Sequence, residues 1–73
     1  MTTTTTRLRE ITVNGSALAS VSETLAALVS EQGFEGVKVA TAVNGDFVAE
    51  RQRASTALSD GDRVEILSVR QGG

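Results

Sequence analysis

At 73 residues the chain has room for one domain and no second fold, since domains typically run to about 100–200 residues. It contains no Cys and no His, which removes disulfides, the usual zinc sites and two of the commonest catalytic side chains. With a net charge of −2 and only two aromatic residues, Phe34 and Phe47, it neither gathers a phosphate backbone nor offers a stacking platform for bases, so no nucleic-acid partner is expected.

A chain of this size buries only about 60% of the surface that its unfolded form exposes, so an apolar fraction of 40% must hold the fold without a staple. No G-x-x-x-x-G-K-[ST] loop is present to cradle a nucleotide, and autonomous catalysis is not expected. No stretch approaches the ~18–20 apolar residues of a membrane span, and the first ten residues carry no apolar signal region. The expected location is the cytoplasm, with no membrane partner.

Thr2 to Thr6 is a run of β-branched but polar side chains with no apolar face to bury, and residues 1–8 read as a frayed leader. The pattern changes at Arg9: Arg9, Ile11 and Val13 share one face of a strand, and Glu10 and Thr12 the other. Asn14-Gly15 is a strong hairpin signal, because both central positions of a type I′ turn need positive φ. Ser16 to Ala19 should return as a short strand.

Ser20-Val21-Ser22-Glu23 fits an S-x-x-E capping box and predicts a helix starting at Ser20. Val21, Leu25, Leu28 and Val29, at i, i+4, i+7 and i+8, draw one apolar stripe along it. Gly33 is the expected left-handed residue that ends the helix, with Phe34 packing back on Val29.

Val37, Val39, Thr41 and Val43 alternate with Lys38, Ala40 and Ala42, and Asn44-Gly45 closes a second hairpin. A two-residue loop pairs Val43 with Asp46, Ala42 with Phe47 and Thr41 with Val48, which puts Val48 on the valine face and Phe47 on the opposite one. Arg51 to Leu58 follows neither period and should cross as loop or helical turn, anchored by Leu58. Asp60-Gly61-Asp62 reads as a tight turn, its carboxylates turn residues and not a metal site or an acid/base pair. The last strand is expected over Arg63–Arg70, with Val64 and Ile66 inward and Glu65, Leu67 and Val69 outward.

One helix can cover one face of a sheet only. The order strand, strand, helix, strand, strand, crossing turn, strand therefore predicts an α+β fold of the β-grasp (ubiquitin-like) type: a mixed sheet of about five strands, the first and last central, with one main helix on one face. The domain is expected over residues 9–70, followed by a flexible tail at 71–73. That tail is Gln71-Gly72-Gly73. Residues without Cβ adopt almost any φ/ψ and can thread a narrow channel, delivering the terminal carboxylate into another protein's active site. A carboxylate becomes an acyl donor once ATP-dependent adenylation makes its oxygen a good leaving group.

Ile11-Thr12-Val13-Asn14-Gly15, Val43-Asn44-Gly45-Asp46-Phe47-Val48, Asp60-Gly61-Asp62-Arg63-Val64-Glu65-Ile66 and the closing Gly72-Gly73 together resemble the ThiS family, the sulfur carriers of thiamine biosynthesis. The resemblance spans about Ile11 to Gly73. It implies a ThiF-type adenylating enzyme that uses MgATP, a persulfide sulfur from a donor such as a cysteine desulfurase, a C-terminal thiocarboxylate, and thiazole synthase as acceptor. By position, Gly73 is the residue converted and Gly72 its flexible neighbour. The carrier itself is expected to be a monomer with no cofactor or metal. The related MoaD family, small subunits of molybdopterin synthase, often carries a proline pair shortly before its Gly-Gly; this chain reads Ser68-Val69-Arg70-Gln71 there, which is closer to ThiS. Carriers for other sulfur-transfer pathways and ubiquitin-like protein modifiers share the fold and the tail.

The registers also gather Phe47, Leu67 and Val69, with Ala40 and Ala42, on the sheet face opposite the helix, as an apolar patch for docking partners. Arg70 is placed to pair with acidic residues around an activating enzyme's channel.

Overall fold

Two Asn-Gly dipeptides set the register of most of the sheet. In the first hairpin, β1 (Arg9–Val13) pairs antiparallel with β2 (Ser16–Ser20), Val13 opposite Ser16 and Ile11 opposite Leu18. The turn residues Asn14 and Gly15 have φ of 52° and 86°, the left-handed pair that makes a two-residue loop match the strand twist. In the second, β3 (Val39–Val43) pairs with β4 (Asp46–Val48), and Val43 meets Asp46, Ala42 meets Phe47 and Thr41 meets Val48, the register expected from the loop length. The computed structural model describes residues 7–68. The leader residues 1–6, Val69, Arg70 and the Gly72-Gly73 pair lie outside the described residues.

β5 (Arg63–Ser68) joins the hairpins into one five-stranded sheet of order β2-β1-β5-β3-β4. It runs parallel to β1, with Val13 beside Val64, and antiparallel to β3, with Thr41 beside Ile66 and Val39 beside Ser68. The sheet is mixed, and its first and last strands in sequence lie side by side in its middle. Alternation then does the sorting: Ile11, Val13, Val39, Val48, Val64 and Ile66 all turn to one face, where they are buried with Leu25, Leu28 and Val29 of the helix and with Leu58. Leu25 and Leu28 are fully buried, each contributing about 1.5–3 kcal/mol by leaving water. This is the β-grasp arrangement.

The helix begins later than its capping pattern suggests. α1 spans Leu25–Glu31 and its N-cap is Thr24, whose hydroxyl accepts from the Ala27 amide at 3.2 Å. Ser20 instead ends β2 opposite Arg9. Its buried hydroxyl accepts from the Ser22 amide (3.0 Å) and donates to Glu31 Oε1 (2.6 Å), and the Ser22 hydroxyl donates to the same oxygen (2.7 Å). Thr24 is extended, and residues 23–25 are tied to the segment that follows the 3₁₀ turn. The Leu58 amide donates to the Glu23 carbonyl, the Leu25 amide donates to the Thr56 carbonyl, and Thr24 bridges Ala57. Tertiary pairing overrides the local box, and Val21, assigned to the apolar stripe by the sequence pattern, is exposed.

The far end of α1 follows its sequence signal. Gly33 (φ 87°) donates to the Ser30 carbonyl and Phe34 to the Val29 carbonyl, the paired bonds of a Schellman stop, and Phe34 packs against the core. Val37 is not part of β3: its amide donates to the Phe34 carbonyl within a turn, its side chain is exposed, and the strand starts at Val39. The segment after β4 forms a 3₁₀ helix, Glu50–Ser55, and Leu58 is the expected anchor. Arg53 is buried as well, with Nε donating to Thr41 Oγ1 (3.0 Å) and Nη2 to the Val39 carbonyl (2.7 Å). No helix among the described residues is long and apolar enough to cross a membrane.

Candidate docking face and carrier terminus

Strand β5 is the last element among the described residues and lies in the middle of the sheet. Its odd-numbered side chains face away from α1. Leu67 sits opposite Ala40 and Glu65 opposite Ala42, and Ala42 in turn is opposite Phe47 on β4. Leu67 is 63% and Phe47 72% exposed, so both stand on the outer face beside the half-buried Ala40 and Ala42. Of the residues singled out for docking, the structure therefore brings Phe47 and Leu67 to one face. Val69, Arg70, Gly72 and Gly73 lie outside the described residues.

The start of β5 is fastened by the turn before it. The Asp60 carboxylate accepts from the Glu10 amide (2.9 Å) and from Arg7 Nη2 (2.8 Å), and the Gly61 amide donates to the Glu10 carbonyl. The Glu10 amide first, then Arg7, holds the Asp60 carboxyl below the usual carboxylate range. Asp62 accepts from the Ser59 amide (2.8 Å) and from Asn44 Nδ2 (3.0 Å). Both carboxylates thus serve the turn, as the sequence reading proposed. Among the described residues no group of three or more His, Cys, Asp or Glu is placed to hold a metal ion.

Sequence reasoning missed the side chains that clasp β5. Asn44 Oδ1 accepts from the Arg63 amide (2.9 Å) while the Asn44 amide donates to the Arg63 carbonyl (2.7 Å). Asn14 holds Ile66 in the same manner, with Oδ1 accepting from its amide and Nδ2 donating to its carbonyl, both at 2.9 Å. The positive φ of the turns accounts for the backbone of both asparagines but not for these side-chain bonds. The choice of Asn over Gly or Asp was the available signal, since a carboxamide carries a donor and an acceptor in one plane.

An open groove of about 480 Å³ lies between α1, the turn after it and the 3₁₀ helix, with Val29, Phe34 and Arg53 in its walls beside Glu35, Lys38 and Glu50. Charges of both signs line it. A mixed five-stranded sheet with one main helix packed on one face defines a ubiquitin-like β-grasp domain.

The chain belongs to the ThiS family, whose model matches residues 5–73. It is similar to the crystal structure of the thiamine biosynthesis protein ThiS from Geobacter metallireducens, with 28% sequence identity and a TM-score of 0.70 over 88% of this chain and 99% of that one. No curated protein matches the sequence. ThiS proteins are small sulfur carriers and not catalysts.

Proposed function

We propose that this chain carries sulfur for thiazole formation in thiamine biosynthesis, and that the reacting group is the carboxylate of Gly73. The observation that carries the reading is the family match extending through residue 73, and so through the Gly72-Gly73 end, on a β-grasp domain. A carboxylate oxygen of Gly73 attacks the α-phosphorus of ATP on a ThiF-type enzyme, pyrophosphate leaves, and an acyl-adenylate forms. The terminal sulfur of a donor persulfide then attacks the acyl carbon and expels AMP. Reduction of the resulting acyl disulfide by a thiol frees the thiocarboxylate, and thiazole synthase takes its sulfur.

The carrier's part is presentation. Gly72 has the backbone freedom to enter a narrow channel, and Phe47 and Leu67, with Val69 and Arg70, form the docking face. ATP-dependent chemistry of this kind fits the cytoplasm.

Incubation with a ThiF-type enzyme, MgATP and a persulfide donor should replace one oxygen of the chain by sulfur, read as an intact-mass change that maps to Gly73. Deleting Gly73 should abolish it, because the shortened end no longer reaches the nucleotide. Full thiazole formation by the Gly73-deleted chain would overturn the reading. Conjugates to lysines of other proteins in place of the thiocarboxylate would show a modifier instead.

A further inference from the structure

Arg53 is a largely buried cation that pairs with no carboxylate among the described residues. It is 9% exposed, and Nε and Nη2 donate to two uncharged acceptors, the Thr41 hydroxyl and the Val39 carbonyl. Arg presents five N–H donors, so these two bonds leave the guanidinium unsaturated. Nη1 has no partner among the described residues, yet it is not sealed off, since no buried side-chain nitrogen or oxygen there lacks a partner. The charge is unmatched as well. Among the described residues the one ion pair is Arg7 with Asp60, so neither Glu35 nor Glu50, which line the same groove, neutralises it. A buried charge held by neutral acceptors leaves part of its desolvation cost uncompensated.

The groove that Arg53 lines opens on the α1 side of the sheet, where the guanidinium rests on the buried Thr41, and away from the outer face of Phe47 and Leu67. At about 480 Å³ it falls within the roughly 300–1,000 Å³ of ordinary ligand sites. Its walls combine Arg53 and Lys38 with two apolar side chains, Phe34 and Val37, the latter 48% exposed and outside the core. We propose that this groove is a second interaction site, taking one carboxylate and one neighbouring apolar side chain from a segment of a partner protein. The carboxylate meets Arg53 Nη1, with Lys38 as the second cation of the groove, and the apolar side chain covers Val37 and Phe34. A planar guanidinium fork matches a carboxylate in shape and charge. Glu35 and Glu50 repel a densely charged anion, which selects a single carboxylate over a phosphate cluster. The site does not depend on the carrier reading, and because it lies across the sheet from the outer apolar face, both surfaces can be engaged at once.

The test is an NMR titration of the full, isotope-labelled chain with three probes: a blocked peptide carrying Leu beside Glu, the same peptide with Gln for Glu, and inorganic phosphate. The Glu peptide should shift the Arg53 Nε–H signal and the Val37 and Lys38 amides saturably. The Gln peptide should bind about tenfold more weakly or worse, since it loses a charge-assisted bond. Val37→Ser, a change at a half-exposed position outside the core, should weaken the Glu peptide about threefold or more without moving the melting midpoint. Arg53→Lys keeps the charge and loses the fork, and should weaken it about tenfold. Should that variant not fold, the comparison of Glu and Gln peptides on the unmodified chain decides. Equal affinity for the two peptides, or no saturable shift at Arg53, would overturn the proposal. Phosphate bound as tightly as the Glu peptide would overturn it too, by showing a simple anion site in place of a docking groove, and full affinity in Val37→Ser would place the peptide elsewhere.

Discussion

Glu31 shows how one carboxylate can tie two elements. Its Oε1 accepts from the hydroxyls of Ser20 at the end of β2 and Ser22 in the connection that follows, closing the path from strand to helix at the helix's far end. The Ser20 hydroxyl first, then that of Ser22, lowers the Glu31 pKa. A carboxyl whose folded pKa is depressed stabilises the fold above its unfolded value, about 4.3 for Glu, and loses that contribution as pH falls through the folded value. Glu31→Gln should therefore destabilise the chain at neutral pH, and the gap between the two proteins in urea melts should close as pH drops below about 4. A gap that does not change with pH would remove Glu31 from the acid response. Asp60 works in the same direction through the Glu10 amide and Arg7, and its exposed ion pair with Arg7 contributes little by itself.

At the scale of the element, α1 is too short to stand alone. An isolated helix below about 12–15 residues is marginal in water, and α1 has seven, so packing must hold it. Leu28 has no exposed surface and Leu25 none either. Leu28→Ala should cost ~2–5 kcal/mol, the transfer term plus the cavity left under a small sheet, out of a total of order 5 kcal/mol or somewhat more. Urea melts would show it, and a loss below about 0.5 kcal/mol would be too small for a buried leucine. The helix also marks where local patterns lose force. Its C-terminus was legible because Gly33 and Phe34 act within one turn, whereas its start was not, because Thr56, Ala57 and Leu58 pair with residues 23–25 from far along the chain.

Across the whole molecule, one sheet face is buried in the core and the other carries exposed apolar side chains. Single exposed apolar residues are ordinary on any surface. Here Phe47 on β4 and Leu67 on β5 flank Ala40 and Ala42 on β3, between them in the sheet, which makes a contiguous surface. Leu67→Asp should leave the melting midpoint nearly unchanged, since the side chain is already in water, and weaken calorimetrically measured binding to a ThiF-type enzyme by about 2 kcal/mol or more, as a docking anchor would. Unfolding of the variant, or undiminished binding, would remove Leu67 from the docking face. These outer-face positions were legible because a period of two and a fixed hairpin loop leave each side chain one direction to point.

The sequence by itself determined the features that act over a few bonds. Positive φ at the Asn-Gly turns, the alternation of β5, the Gly33 stop and the Asp60-Gly61-Asp62 turn are local, and with the Gly72-Gly73 end they were enough to resemble a family. Tertiary structure alone decided that Ser20 closes a strand, that Val37 stays outside β3 and that Arg53 is buried beneath it. It also turned Asn14 and Asn44 from turn residues into clasps on β5. The physical reason is separation along the chain: Asn14 meets Ile66 across 52 positions and Asn44 meets Arg63 across 19. A hydrogen bond of that span is written in no window of sequence, and it forms only when the sheet has already brought its partners together.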